Sequence, residues 1–233
     1  MFWQRVQMNR KIRKLKPYPP DELCAFEPLV AELAEKHTPV TKKKLGMKVL
    51  AISDSHGYFA FDNRMEKLMS QHYDFDVCML LGDIEICEME KLMDFVRPEE
   101  MVAVRGNHDR HDIYKRFGVT DVNGNVHTIQ GVRFAGMEGS FRYKNGDFPS
   151  FTQYESLALA KRMPLCDVFM SHDAMFTRAN YNIAHTGLAG ITYYIYEKKP
   201  CWHIHGHMHR SCHGTYANGT KEISVYPFAC FEI

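Results

Sequence analysis

Five short clusters hold most of the side chains in this 233-residue chain that could do chemistry. They are Asp54-Ser55-His56, Gly82-Asp83, Gly106-Asn107-His108-Asp109, Ser171-His172 and Gly206-His207-Met208-His209. Carboxylates, imidazoles and an amide oxygen form a mixed N/O donor set without thiolate. Such a set favours Mn, Fe, Zn, Co or Ni over Ca or Mg. Asp54 and His56 stand two apart, so in an extended segment both face one side and reach one ion. Asp83 follows Gly82, whose missing side chain permits a tight turn and a close approach. A carboxylate can bridge two cations. Two metals about 3.5–4 Å apart clamp the attacking and leaving oxygens of an in-line displacement, so the chemistry indicated is hydrolytic.

Each cluster taken singly has a plainer explanation. Asp-x-His is commonly a loop or a cap, Gly-Asp a turn, Asn-His-Asp an Asx-turn before a helix, and His-Met-His a stretch of surface. The weight comes from all five occurring together, each just past an apolar run. His203 and His205 lie inside the run that precedes Gly206 and are expected to be structural. His111, His127 and His213 have no supporting context.

The runs themselves are Val49–Ile52, Val77–Leu81, Met101–Val104, Val168–Met170 and Trp202–His205. Each is long enough for a buried strand. Helical patterns separate them: one around Met65, Leu68 and Met69, and one around Met89, Leu92, Met93 and Val96 that stops before Pro98. A capping box at Thr152-Gln153-Tyr154-Glu155 opens a helix toward Met163-Pro164, and Leu188–Lys199 is helical up to Pro200. Gln130-Gly131 joins two β-prone runs as a hairpin, and Ala217-Asn218-Gly219-Thr220 marks another turn. Strands alternating with helices define an α/β fold. In open α/β sheets ligands bind at the carboxyl ends of the strands, which would bring the five clusters to one edge.

Composition narrows the setting. Formal net charge is +1, but residues 1–20 hold six basic residues (Arg5, Arg10, Lys11, Arg13, Lys14, Lys16) and no acid. The expected organisation is a basic, helical N-terminal extension over 1–46 followed by one domain over 47–233. A second helix is expected to start near Glu27 and run to His37, with Lys42-Lys43-Lys44 as an exposed linker. The basic arm makes nucleic acid a candidate partner. Seven scattered cysteines without a Cys-x-x-Cys pair suit a reducing compartment. No apolar run approaches the roughly 18 residues of a membrane span, and residues 1–20 lack a signal-peptide core, so a cytoplasmic location is expected. Oligomeric state is not legible.

The five clusters as a set resemble the signature blocks of the calcineurin-like metallophosphoesterase superfamily. Phe141–Gly146 and Ala184–Leu188 look like the connecting segments of small bacterial or phage members without a cap domain. The resemblance implies a four-layer α/β/β/α sandwich with mixed β-sheets and two divalent transition metals, manganese taken first. It implies that Asp54, His56, Asp83 and His209 hold one metal, and that Asp83, Asn107, His172 and His207 hold the other, with Asp83 bridging. His108 would stabilise phosphate charge or protonate the leaving oxygen, Asp109 would orient His108, and a bridging hydroxide would attack phosphorus. Asn107, His108, Arg105, Arg142, Tyr143, Lys144 and His185 are the candidates for substrate contact. The implied activity is that of a phosphodiesterase or broad phosphoesterase; the alternatives are a nuclease-type enzyme or a non-catalytic scaffold of the same fold.

Overall fold

The structure is a computed structural model that describes residues 20–40, 44–58, 63, 66–67, 74–143, 148–177 and 182–233. The basic arm at 1–16, Lys42 and Lys43, the helix expected around Met65, Leu68 and Met69, and Lys144 lie outside the described residues.

The apolar runs form the centres of two facing sheets. The first sheet contains β1 (Lys48–Ile52), β2 (Val77–Leu80), β3 (Met101–Ala103), β4 (Thr120–Asp121) and the last strand, β13 (Phe228–Glu232). Their order is β13-β1-β2-β3-β4, parallel except for β13. The second sheet contains β5 (Val126–Ile129), β6 (Val132–Met137), β9 (Val168–Ser171), β10 (Trp202–His205), β11 (Cys212–Thr215) and β12 (Lys221–Ser224). Its order is β11-β12-β10-β9-β6-β5, with antiparallel hairpins at both edges and parallel strands between. β7 (Ser140–Phe141) and β8 (Ser150–Phe151) form a small separate ladder.

Alternation along each strand divides its side chains between two layers. Val49, Ala51, Val77, Met79, Val102 and Val104 meet Phe134, Val168, Met170 and Ile204 between the sheets. Leu50, Ile52, Leu80 and Met101 point the other way, onto α2 (Ile86–Leu92) and α3 (Ile113–Arg116). Phe169 and Met137 pack outward against α4 (Gln153–Arg162) and α5 (Ala189–Tyr193). Burial on both faces explains why these strands read as unbroken apolar runs rather than alternating ones. Each such Val, Leu, Ile or Met contributes about 1.5–3 kcal/mol relative to exposure. The four layers are the α/β/β/α sandwich that the resemblance implied.

Local signals held at several boundaries. Thr152 caps α4: its Oγ1 accepts from Glu155 N at 3.2 Å, and Thr152 N donates to Glu155 Oε2 at 2.8 Å. Gln130 and Gly131 both take positive φ, 49° and 80°, as a two-residue hairpin joining β5 to β6 requires. α5 runs into a π-helical turn over Tyr194–Lys198, left through Lys199 at φ 56° before Pro200. One boundary differs. The helix expected from Glu27 is α1 (Pro20–Glu35), which starts earlier and carries Pro28 inside it. Packing overrides the proline's missing donor: Phe26 and Leu33 are buried, and Phe26 sits with Phe176 and Ala189, its ring 4.6 Å from Tyr154. Among the described residues no helix is long and apolar enough to cross a membrane.

Candidate metal centre and active site

The chain turns sharply as it leaves β1, β2 and β10. Asp54 (φ 53°), His56 (46°), Asp83 (58°), His207 (62°) and His209 (50°) all adopt the left-handed backbone region. That region is uncommon for residues other than glycine, although Asp and His tolerate it better than most. Only two other described non-glycine residues share it, Gln130 and Lys199. Backbone strain of this kind gathers where surrounding structure enforces a functional geometry. Asp54 and His56 are therefore not brought together by extended backbone, as their spacing suggested, but by successive left-handed turns. The crossing chains approach so closely that a Cβ on Gly206 would collide with Ser53 Oγ, and one on Gly106 with Asp83 Oδ1.

All seven residues expected to ligate metal converge here. His172 Nε2 lies 3.1 Å from Asn107 Oδ1 and 3.1 Å from His207 Nδ1. Asp83 Oδ2 lies 3.6 Å from His56 Nε2 and 3.7 Å from His172 Nε2. His209 Nε2 lies 3.3 Å from Asp54 Oδ1. Two groups bring their ligand atoms within 4.8 Å of one another: Asp54 with His172 and His207, and Asp54 with His56 and His209.

The protonation pattern shows what such a cluster requires. His172 Nδ1 donates to Leu81 O at 2.7 Å, and His207 Nε2 donates to Ala184 O at 2.6 Å. A carbonyl can only accept, so each bond fixes a tautomer. The remaining nitrogens, His172 Nε2 and His207 Nδ1, then present lone pairs to each other at 3.1 Å. Burial holds both imidazoles below their ordinary pKa and in this neutral, ligating form. Asp54 is 1% exposed; its Oδ2 accepts from Ser53 Oγ and His207 N, both at 2.6 Å. Its Oδ1 is the one buried side-chain polar atom among the described residues without a hydrogen-bond partner. Burial pushes the Asp54 carboxyl up, but its contact with the His209 ring, 3.3 Å away, leads the interactions that outweigh it and hold the group well below the usual carboxylate range. Facing imidazole lone pairs beside a buried carboxylate repel one another, and a bound cation turns that repulsion into attraction. The residues fit a metal.

Several residues shape the centre from behind, and the sequence marked few of them. Asp109 differs from its expected role. Its carboxylate accepts from Asp83 N (3.0 Å), Ile84 N (2.9 Å), Gly106 N (2.7 Å) and Tyr114 OH (3.2 Å). It is turned inward and ties the end of β2 to the end of β3 rather than orienting the His108 ring; burial pushes its pKa up to about 6. His108 N donates to Asp83 Oδ1 at 2.7 Å, while its ring is exposed at the rim, 5.5 Å from the His56 ring. Glu88 on α2 was not singled out from sequence. It is buried and accepts from Ser55 Oγ (2.8 Å), Gly57 N (2.9 Å) and Glu85 N (2.9 Å), which pins the His56 loop. Asp173 is equally hidden. It accepts from Phe141 N and Ala174 N, and burial pushes its pKa up to about 7.

The substrate candidates separate. The His185 ring lies 4.9 Å from that of His207, beside the centre. Tyr143 OH is 3.5 Å from Asn107 Nδ2. Arg142 is committed elsewhere, to Ser150 O (2.9 Å) and Glu155 Oε2 (2.8 Å). Arg105 Nε donates to Glu138 Oε2 at 2.7 Å. His203 and His205 are structural, as expected. His203 bridges Ser171 Oγ (2.7 Å) and Tyr216 OH (2.8 Å), and His205 bonds Gly206 O and Glu222 Oε1, both at 3.1 Å.

The sequence profile of the calcineurin-like phosphoesterase superfamily domain matches residues 47–227. The chain belongs to that superfamily, whose members are metal-dependent hydrolases of phosphate esters, and it is an enzyme of that class. Among solved structures it is similar to the protein TT1561 of Thermus thermophilus, at 15% identity and a TM-score of 0.55, over 77% of this chain and 88% of that one. It is also similar to the phosphopantetheinyl hydrolase PptH from Mycobacterium tuberculosis, at 14% identity and a TM-score of 0.52, over 77% and 90% of the two chains. At these identities the likeness is one of fold. No curated protein matches the chain.

Proposed function

We propose that the chain is a dinuclear-metal phosphoesterase of small phosphodiesters and related phosphoesters. The carrying observation is the pair of facing lone pairs on His172 Nε2 and His207 Nδ1 in one tight group with the buried Asp54 carboxylate, whose Oδ1 lies 3.3 Å from His209 Nε2. Asp54, His56, Asp83 and His209 would hold one ion, and Asp83, Asn107, His172 and His207 the other. Bridging by Asp83 is supported by its Oδ2 lying within 3.7 Å of one imidazole from each set, His56 and His172. Asp54 also belongs to both tight groups, so it lies between the two sets of imidazoles.

Two divalent ions held there would supply a water activated near neutral pH and neutralise charge on the transferred phosphoryl group. The protein's own residues do the rest. Leu81 O and Ala184 O hold the two buried imidazoles in the ligating tautomer, as outer carbonyl partners do at metal sites. His108, exposed at the rim, would give a proton to the leaving oxygen. Its backbone N–H fixes Asp83 at the same time, so the acid and the bridging carboxylate keep a constant relation. Asn107 and His185, whose ring lies 4.9 Å from that of His207, would contact the ester.

Purified protein assayed with a panel of divalent metals, manganese first, on bis-p-nitrophenyl phosphate and p-nitrophenyl phosphate tests this reading. Metal-dependent turnover, faster on the diester, is expected. Absence of turnover on both substrates with every metal contradicts it.

A further inference from the structure

A cleft of about 300 Å³ opens at the β3–β4 end of the first sheet, lined by Arg105, His111, Tyr114, Lys115, Val119 and Asp121 among others. Its position follows from topology. Arg105 lies two residues past β3, immediately before Gly106-Asn107-His108, and Asp121 ends β4, paired with Ala103. The cleft is therefore at the same carboxyl edge as Asp83 and Asn107. It also shares a wall with the metal centre. Tyr114, at the cleft, donates to Asp109 Oδ2, and that carboxylate holds the backbone of Asp83 and Gly106.

The donors lining the cleft are underused. Arg105 is only 15% exposed at its side chain and gives its Nε to Glu138. Its two terminal nitrogens have no partner among the described residues. The side chains of His111 and Lys115 likewise make no hydrogen bond or ion pair with described residues. The acids facing these donors are already engaged: Asp121 accepts from Asn123 N at 2.9 Å, and Glu138 is paired with Arg105 and lies close enough to His111 to interact with it. A guanidinium anchored from one side with free terminal N–H groups, next to an ammonium and an imidazole, is a donor set for tetrahedral or planar oxyanions. The volume lies at the lower end of the range for small-ligand sites.

Resting on the phosphoesterase reading, we propose that this cleft binds a second phosphoryl group of the substrate, so that the enzyme's preferred substrates are phosphoesters carrying another phosphate away from the scissile bond. Arg105, His111 and Lys115 contact that second phosphate, and the metal centre takes the first. The cleft is a specificity subsite and takes no part in bond cleavage.

A nucleoside 3′,5′-bisphosphate and the matching 5′-monophosphate, compared under one metal condition with p-nitrophenyl phosphate as the reference for chemistry, test the proposal. The wild type is expected to favour the bisphosphate by roughly tenfold or more in kcat/KM. The His111→Ala/Lys115→Ala variant is expected to lose that preference through KM. Equal kcat/KM for the two nucleotides in the wild type, or an equal loss on both in the variant, overturns it. Titration of inorganic phosphate into chelator-treated, metal-free protein gives an answer independent of turnover. One binding site is expected in the wild type, weakened about tenfold in the double variant. Phosphate binding that is absent, or unchanged in the variant, overturns the subsite even if p-nitrophenyl phosphate is hydrolysed. Loss of all turnover with the phosphate site intact removes the phosphoesterase reading instead.

Discussion

Trp202–His209 contains four alternate histidines, and the two halves of this octapeptide have opposite fates. His203 and His205 sit in β10 with extended backbone, and each ring nitrogen has a protein partner. His207 and His209 lie just past Gly206 with φ of 62° and 50°, and their rings turn toward the carboxylate of Asp54. Residue type is the same throughout. The difference is whether the backbone delivers the ring to the strand's outer layer, where Ser171, Tyr216 and Glu222 satisfy it, or to the edge, where other lone pairs meet it. A histidine inside a strand is thus a closed polar group, and one on the left-handed turn after it is an open one.

That contrast is broken most severely on the open side. Asp83→Ala removes the carboxylate proposed to bridge both sets, and the expected result is metal content below one ion per chain with turnover at background, read by elemental analysis and the diester assay. His108→Ala is expected to keep the metal content of the wild type while kcat falls about 10²–10⁴-fold, the usual scale for a general acid. Retained kcat would remove His108 from the reaction. Glu88→Ala loosens the His56 loop without touching a ligand. Metal affinity is expected to drop roughly 10–100-fold, as for outer partners of ligands, and an unchanged affinity would leave Glu88 a purely architectural residue.

The closed side is sharpened by smaller effects. His203→Phe leaves Ser171 and Tyr216 without their shared partner and should cost about 1–3 kcal/mol in denaturant unfolding while metals stay bound. Its pH dependence has a defined sign. Burial first, then the neighbouring His205, hold the His203 imidazole well below its ordinary 6.5. Below that pH the unfolded chain takes up a proton that the native protein refuses, so stability declines as pH falls from 6.5 toward the native value. Replacing His203 by Phe is expected to flatten that decline by up to about 1.4 kcal/mol per pH unit. A slope unchanged by the substitution would mean that His203 is not held neutral.

The layer order and the gathering of the candidate ligands at one edge were legible in the sequence because both depend on local pattern. Apolar runs buried on both faces show as continuous Val, Leu, Met and Ile, and each metal-type cluster begins where such a run stops. The profile match over 47–227 agrees with that reading. What sequence could not show was contact between distant segments. Asp109 follows His108 directly, so pairing them was the natural expectation, yet its carboxylate serves Asp83 N, 26 residues away. Glu88 looks like an ordinary helical acid until the loop around Ser55 folds onto it. Arg142 was a reasonable phosphate contact from its loop position, but Glu155, in the capping box of α4, had already claimed it. α1 begins at Pro20, ahead of the start expected near Glu27, because packing of Phe26 against Phe176 and Ala189 outweighs the local penalty of Pro28.

Two bound cations would reconcile the facing imidazole lone pairs of His172 and His207 with the buried Asp54 carboxylate beside them. The direct measurement is metal stoichiometry against turnover: chelator-stripped protein is titrated with Mn, freed of excess metal, and each fraction is analysed for metal per chain and for hydrolysis of bis-p-nitrophenyl phosphate. The account predicts saturation at two ions per chain, with activity appearing as the second site fills. Full turnover in stripped protein, or saturation without metal held by the His172 and His207 rings, would contradict it.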